Sequence, residues 1–299
     1  MKILIVGFGS IGQRHFKNLK KLGFSPEIYS RHLHKTKLSE NSYYDLILIC
    51  SKTSDHLKDI KKFKNLSSNF FIEKPLAMSL FQAKEIKKML KNKKVVIGYI
   101  LTFHPLIKKV KDFIKKQKLG HIYLVQIHSG SYLPDWRSNR DYRLSYSSKK
   151  NEGGGVLLDI IHEINYFRFI FPEKIISISN HHNKISNLEI TSDDIAILCI
   201  HQKSHYTSII LNYFQKLPER YIKIYGENKT LLCDLEKSNL DIFNHKNKKI
   251  SNQKIKLNFN DLYIKEIELV INCIKKKTLP PKILSLNQGI EDLNIIENA

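Results

Sequence analysis

Three glycines near the start of the chain have the spacing that a dinucleotide phosphate requires. An apolar run at residues 3–6 leads into Gly7, Gly9 and Gly12, and a stretch with helical character follows. The first glycine permits a tight turn from strand to helix, the second lets the backbone approach a pyrophosphate, and the third lets the helix pack on the strand. The amino end of the helix then faces the anion. We therefore predict a dinucleotide site contacted by Gly7, Gly9, Ser10, Ile11 and Gly12.

The residues after the second apolar run indicate which dinucleotide this site prefers. An acidic side chain there would accept hydrogen bonds from the ribose hydroxyls of NAD. The chain has Ser30 and Arg31 instead, a hydroxyl and a guanidinium that suit the 2′-phosphate of NADP. We predict NADP(H) as the preferred cofactor. NAD(H) stays open, because an Arg31 that stacks on the adenine from a solvated loop would accept NAD as well.

Cationic and aromatic side chains cluster again in the middle of the chain. Arg137, Arg140 and Arg143 fall in one short segment, together with Trp136 and Tyr142. Guanidinium groups can clamp a phosphate or a carboxylate. We predict that Trp136, Arg137 and Tyr142 contact a substrate, with a solvated loop as the alternative interpretation.

Composition limits the class of protein. The 299 residues suffice for a sizeable core and two domains. The formal charge of +22 would suit a nucleic-acid partner, but the excess lysines are spread along the chain and no DNA- or RNA-binding signature accompanies them. We predict no nucleic-acid or membrane partner; salt-sensitive retention on DNA would test the nucleic-acid alternative.

No apolar stretch is long enough to span a bilayer and no signal peptide is evident, so we expect a cytoplasmic protein. The four cysteines lack metal-ligand spacing, which predicts no metal.

The order of the predicted elements defines the fold class. Strands alternate with helices over residues 1–119, which predicts an α/β dinucleotide-binding domain of the Rossmann type with a parallel sheet. Over residues 120–299 strands follow one another through short turns, which predicts an α/β domain with an open, mostly antiparallel sheet. We expect one helix within this sheet region, at 155–171, a solvated hairpin or loop at 244–256, and helices at 262–276 and 286–296. The last helix is expected to pack back on the first domain.

Four motifs together resemble the glucose-fructose oxidoreductase and inositol dehydrogenase family, also called Gfo/Idh/MocA, over essentially the whole chain. They are the glycine triplet, Thr53-Ser54-Asp55-His56, Glu73-Lys74-Pro75, and the glycine-led segment 153–162 that contains Asp159 and His162. The resemblance implies a dinucleotide-binding domain and an open sheet whose face makes homo-oligomer contacts. It implies hydride transfer between nicotinamide and a hydroxyl or keto carbon of a sugar. It further assigns to the cofactor site Ser51, Thr53, His56, Glu73 and Lys74, to which we add Tyr99 at the end of a strand.

The same resemblance implies the catalytic residues. In such enzymes the lysine of the Glu-Lys-Pro motif lies beside the nicotinamide, and the Asp and His of the glycine-led helix complete the acid-base set. At the matching positions of this sequence, these residues are Lys74, Asp159 and His162. The resemblance implies that Asp159 and His162 also contact the substrate. Histidine exchanges protons near neutral pH and a fixed cation stabilises a developing alkoxide, so these side chains suit the chemistry.

Two departures from the family pattern bear on the substrate and on the alternatives. The spacing of Asp159 and His162 is one residue shorter than in many relatives, as in a branch that acts on sugars of surface polysaccharides and nonulosonic acids. That branch carries an acid where this chain has Asn165 and an arginine where it has Thr102. We therefore predict a role in polysaccharide or glycan biosynthesis. The alternative is a non-catalytic, dinucleotide-sensing regulatory protein of the same fold.

Overall fold

A computed structural model of the chain describes residues 1–31, 42–137 and 139–297. The chain divides into two compact units. The first comprises Met1–Ile100 and Phe259–Leu293, and the second comprises Leu101–Asn258 and Asn294–Ala299. The division therefore falls at residue 100 and not at the predicted residue 119, and the segment 259–293 returns to the first unit.

The first unit is built around a five-stranded parallel sheet. Its strands are β1 (Ile3–Val6), β2 (Glu27–Tyr29), β3 (Leu46–Ile49), β4 (Asn69–Glu73) and β5 (Lys94–Gly98). They lie in the order β2-β1-β3-β4-β5. The helices are α1 (Ser10–Lys21), α2 (His56–Phe63), α3 (Leu80–Met89), α7 (Asn260–Lys275) and most of α8 (Leu286–Glu297). β1 and β3 are buried along their full length, as is typical of strands covered on both faces.

The second unit is built around an eight-stranded sheet in the order β13-β12-β11-β10-β6-β9-β8-β7. Its strands are β6 (Ile122–Tyr132), β7 (Ile175–Asn183), β8 (Ile195–Gln202), β9 (Tyr206–Asn212), β10 (Phe214–Gly226), β11 (Lys229–Asp234), β12 (Asn239–Asn244) and β13 (Lys249–Lys254). All pairs are antiparallel except β6 with β9. Its helices are α4 (Pro105–Lys115), α5 (Val156–Asp159) and α6 (His162–Ile170).

One sequence-based prediction for this unit is wrong. The helix expected over 155–171 is interrupted at Ile160 and Ile161, so α5 and α6 are separate. The hairpin or loop expected over 244–256 is a hairpin, in which β13 pairs antiparallel with β12. In the part of the chain that the structure describes, no helix has the length and apolar character needed to cross a bilayer.

Candidate active site

The first unit contains a cleft of about 510 Å³ at the carboxyl ends of β1, β2 and β3. Ligands of open parallel sheets bind outside these strand ends. Five residues predicted to bind the cofactor line the cleft: Gly7, Gly9, Ser30, Arg31 and Ser51. The other residues of the lining are Val6, Phe8, Gln13, Tyr29, Cys50, Lys52, Asp55 and Asp59.

The three glycines of the triplet differ in how much space surrounds the position that a Cβ atom would take. Gly7 has a φ of +95°, and a Cβ there would lie 2.4 Å from the backbone nitrogen of Ser51. A Cβ on Gly12 would lie 2.1 Å from the carbonyl oxygen of Gly7. Gly7 and Gly12 thus make the turn and the helix contact possible. A Cβ on Gly9 would meet no atom within 4 Å, so the space beside Gly9 in the cleft is open, as a bound pyrophosphate requires.

Arg31 lines this cleft, and its guanidinium forms ion pairs with two aspartates. Its Nη1 lies 2.6 Å from Oδ2 of Asp55, and its Nη2 donates a short hydrogen bond to Oδ1 of Asp59. Burial alone would lower the pKa of Arg31, but the charges and hydrogen bonds of the two aspartates outweigh it and raise that pKa. The arginine expected from the sequence to meet a phosphate is therefore held by two carboxylates, a contact that the sequence did not predict.

Eight other predicted cofactor residues lie outside the lining of this cleft: Ser10, Ile11, Gly12, Thr53, His56, Glu73, Lys74 and Tyr99. The His56 ring is buried between the carbonyl oxygens of Ser51 and Leu76, at 3.1 and 3.2 Å, and burial lowers its pKa. His56 therefore fixes the backbone beside the cleft. Tyr99 is fully buried, and burial, followed by the charge of Asp292, raises the pKa of its hydroxyl well above the usual range, which favours a core role. The contacts of these eight residues with a cofactor stay predictions.

Lys74 follows directly on β4, whose last residue belongs to a buried polar cluster. The carboxylate of Glu73 lies 2.6 Å from Nε2 of His15, and both side chains are almost fully buried. Glu266 of α7 is fully buried; burial first, and the charge of Glu73 second, raise its pKa well above the usual range. Burial and the charge of Glu73 thus both favour the protonated, neutral form of Glu266. The cluster anchors the strand end from which Lys74 extends.

In the second unit, Asp159 is held by two tyrosine hydroxyls. The Tyr146 hydroxyl donates to Oδ1 at 2.7 Å, and the Tyr213 hydroxyl donates to Oδ2 at 2.8 Å. Burial, reinforced by the charge of Asp159, raises the pKa of both tyrosines, so both remain donors. Asp159 is 6% exposed. Its carboxylate is thus fixed in orientation by two residues that the sequence-based prediction missed.

His162 begins α6 and is half-buried, whereas Asp159 ends α5. Asp159 and His162 therefore do not lie on one continuous helix. The following residue, Glu163, is fully buried and accepts a hydrogen bond of 2.7 Å from Nε of Arg220. This ion pair fixes the first turn of α6 in the core and so sets the position of His162.

Three of the predicted substrate residues lie together in the second unit. Trp136, Arg137 and Tyr142 line a cavity of about 240 Å³, along with Arg140. The Trp136 ring packs edge-on against Tyr213, with 5.2 Å between centroids, and Tyr213 in turn bonds to Asp159. Arg143 lies outside the lining, in exposed ion pairs with Asp141 and Glu189. The structure therefore brings Trp136 near Asp159 and takes Arg143 out of the predicted cluster.

These features define a class of protein, a nucleotide-dependent oxidoreductase with a Rossmann unit. The comparisons specify it further. Residues 20–100 match the NAD-binding Rossmann fold of the Gfo/Idh/MocA oxidoreductase family, and residues 111–299 match the C-terminal alpha/beta domain of the same family. The chain belongs to this family, as its four motifs predicted, and its cofactor is a nicotinamide dinucleotide.

Individual relatives are distant. The myo-inositol 2-dehydrogenase of Thermotoga maritima is 24% identical over 266 residues, which cover 78% of this chain and 75% of that enzyme. The super-repressor mutant of Gal80p from Saccharomyces cerevisiae aligns with a TM-score of 0.85 at 15% identity, covering 100% of this chain and 94% of that one. The WlbA dehydrogenase from Bordetella pertussis, in complex with NADH and UDP-GlcNAcA, aligns with a TM-score of 0.78 at 16% identity, covering 99% and 94%. The two structures show a shared fold.

Proposed function

We propose that the chain transfers a hydride between nicotinamide and a hydroxyl or keto carbon of a sugar or sugar derivative. The observation that carries this proposal is the fixed carboxylate of Asp159. Tyr146 and Tyr213 orient this carboxylate by hydrogen bonds, and Trp136 packs against Tyr213. An aromatic side chain beside fixed polar groups suits a polyhydroxylated ligand, because the ring covers the apolar face of a sugar while the polar groups meet its hydroxyls.

The proposed roles follow from the chemistry of each side chain. The cofactor accepts or supplies the hydride. His162 takes the proton of the substrate hydroxyl during oxidation and returns it during reduction. Lys74 stabilises the negative charge that develops on the substrate oxygen, and Asp159 orients the substrate by accepting from one of its hydroxyls.

The substrate is proposed to belong to surface-polysaccharide or glycan biosynthesis. Support comes from the short spacing between Asp159 and His162, and from the nucleotide sugar held by the WlbA dehydrogenase. Arg137 and Arg140 in the cavity of the second unit suit an acidic group on such a sugar.

A preference for NADP over NAD, expected from Ser30 and Arg31, stays a prediction. It is supported by the position of both residues in the cleft. It is weakened by the two carboxylates that already hold the Arg31 guanidinium. The predicted cytoplasmic location likewise stays a prediction.

We also propose that copies of the chain associate through the sheet of the second unit. Apolar side chains remain exposed on it, among them Ile176, Ile197 and Tyr206, each more than 40% exposed. Burial of such side chains at an interface is favourable. Light scattering of the purified chain tests this association, and a strictly monomeric protein would contradict it.

Turnover measurements test the proposed function. Purified chain is screened with NAD(H) and NADP(H) against inositols, sugar acids and nucleotide sugars, first by thermal shift and then by cofactor absorbance. On the substrate found, Lys74→Ala and His162→Ala are each expected to lower kcat by about a hundredfold or more, while Lys84→Ala on α3 leaves it unchanged. Full turnover in both active-site variants contradicts the assigned roles. Tight dinucleotide binding with no turnover of any ligand that stabilises the protein would favour the regulatory alternative.

A further inference from the structure

The three side chains Arg31, Asp55 and Asp59 form a charged cluster inside the cofactor cleft. Arg31 follows β2, Asp55 precedes α2, and Asp59 lies within α2. All three line the cleft that contains Gly7 and Gly9. The side chain of Asp59 is 4% exposed, that of Asp55 is 21% exposed and that of Arg31 is 33% exposed. The cluster carries one positive and two negative charges and is therefore net negative.

The burial of Asp59 makes the ion pair difficult to break. A carboxylate out of water is costly unless a cation stays beside it. If Arg31 turned away to meet a ligand phosphate, the Asp59 carboxylate would lose its cation at a position that water scarcely reaches. The guanidinium is therefore committed to the two carboxylates, and the cluster as a whole places a net negative charge in the cleft.

We propose that Asp55 and Asp59 make the dinucleotide site select NAD(H) over NADP(H), against the preference that Arg31 alone predicts from the sequence. An ionised carboxylate only accepts hydrogen bonds, so Asp55, the more exposed of the two, can accept from a ribose hydroxyl but cannot bind a phosphate oxygen, while Asp59 contributes its negative charge. The 2′-phosphate of NADP carries between one and a half and two negative charges at neutral pH, as phosphate monoesters do. It would enter a net negative cluster whose cation is already neutralised.

This proposal rests on the nicotinamide cofactor of the family and is independent of which sugar is the substrate. It assigns the choice between NAD and NADP to Asp55 and Asp59, which lie after β3. In the usual Rossmann pattern, the residue that makes this choice lies after β2. Arg31 then has a structural role as the cation that pairs with both carboxylates and fixes their positions.

Equilibrium binding tests the proposal without any substrate. Dissociation constants for NADH and NADPH are measured by fluorescence titration of the full chain, for wild type, Asp55→Asn, Asp59→Asn and the double variant. Asp45→Asn is the matched control, because Asp45 is an exposed carboxylate just before β3, at the opposite strand end from the cleft. Circular dichroism establishes that each variant is folded.

Wild type is expected to bind NADH at least about tenfold more tightly than NADPH, a free-energy difference of about 1.4 kcal/mol. The double variant should move the ratio of the two constants toward NADPH by about tenfold or more, through tighter NADPH binding, because Arg31 is then released to meet the phosphate. Asp45→Asn should leave the ratio unchanged.

Three results would overturn the proposal: tighter binding of NADPH by wild type, an unchanged ratio in the folded double variant, or an equal change in Asp45→Asn. None of these results would contradict the assignment of a nicotinamide dinucleotide as the cofactor. Absence of binding for both dinucleotides would instead contradict the assignment of the cleft itself, and the selectivity proposal with it.

Discussion

Two tyrosine hydroxyls donate to the two oxygens of Asp159, and this pair of hydrogen bonds decides how that residue can act. Both oxygens are engaged inside the second unit at 2.7 and 2.8 Å. A carboxylate held in this way keeps its orientation and can still accept from a substrate hydroxyl through its remaining lone pairs. Asp159 is therefore suited to orienting a ligand, which agrees with the proposal that His162 transfers the proton.

The tyrosine pair is testable by stability measurements. Tyr213→Phe should lower the free energy of unfolding by about 1–3 kcal/mol, because it removes a buried hydrogen bond to a charged group. In an Asp159→Ala background the same change should cost clearly less, since its acceptor is gone. Chemical denaturation of the four proteins measures this coupling, with the exposed Tyr123→Phe as control. Equal costs in the two backgrounds would mean that the hydroxyl does not act through Asp159.

Some residues of the site were predictable from the sequence because local order alone specifies them. Gly7 and Gly9 lie between a strand and a helix, so their places in the cleft follow from their neighbours in the chain. The partners of Arg31 were not predictable, because Asp55 and Asp59 meet it only after β2 and α2 have packed in the first unit. Tyr146 and Tyr213 come from distant segments for the same reason, and nothing near them in the sequence indicates a shared partner.

At the scale of elements, the start of α4 depends on one histidine. Nδ1 of His104 accepts a hydrogen bond from the backbone nitrogen of Leu106, 3.2 Å away, and so caps the helix. Burial, and then the charge of Arg220, lowers the pKa of His104 to about 4. The cap therefore requires a neutral ring, which the folded protein retains well below neutral pH.

The lowered pKa of His104 makes stability depend on pH. As the pH falls from about 6.5 to about 4, the unfolded chain binds a proton at this residue before the folded chain does, so the free energy of unfolding decreases. The loss from this group amounts to about 3 kcal/mol. His104→Asn keeps a capping side chain without titrating, and its unfolding free energy should decline less over that range. The exposed His181→Asn should behave as wild type; an identical decline in His104→Asn would contradict the assignment.

Elements with a strong apolar pattern were predictable, and those with polar surroundings were not. β3 and β4 consist of apolar runs between turns, and the structure has them where such runs predict them. β13 is mostly exposed and rich in lysine and asparagine, so nothing in its composition separates it from a loop; its pairing with β12 alone makes it a strand. The interruption between α5 and α6 was equally invisible, because Ile160 and Ile161 continue the apolar pattern of a helix.

At the scale of the whole chain, long-range contacts set the division into two units. No change in composition along the sequence marks where that division falls. The segment Phe259–Leu293 belongs to the first unit although the entire second sheet separates it from Ile100 in sequence. Its helix α7 supplies Glu266 to the cluster behind Lys74. The fold class was predictable from the order of strands and helices, whereas this return of the chain depends on long-range packing.

We propose that the first unit binds a nicotinamide dinucleotide at the open face of Gly9. The most direct test is a fluorescence titration of the wild-type chain and Gly9→Ala with NADH. Gly9 has φ −72° and no neighbour where a Cβ would lie, so Gly9→Ala should change the unfolding free energy by no more than about 1 kcal/mol. Because the new methyl group occupies the pyrophosphate space, NADH should bind at least about tenfold more weakly. Saturable binding by wild type with this loss is the predicted result; no saturable binding by wild type, or equal affinity in the folded variant, would contradict the account.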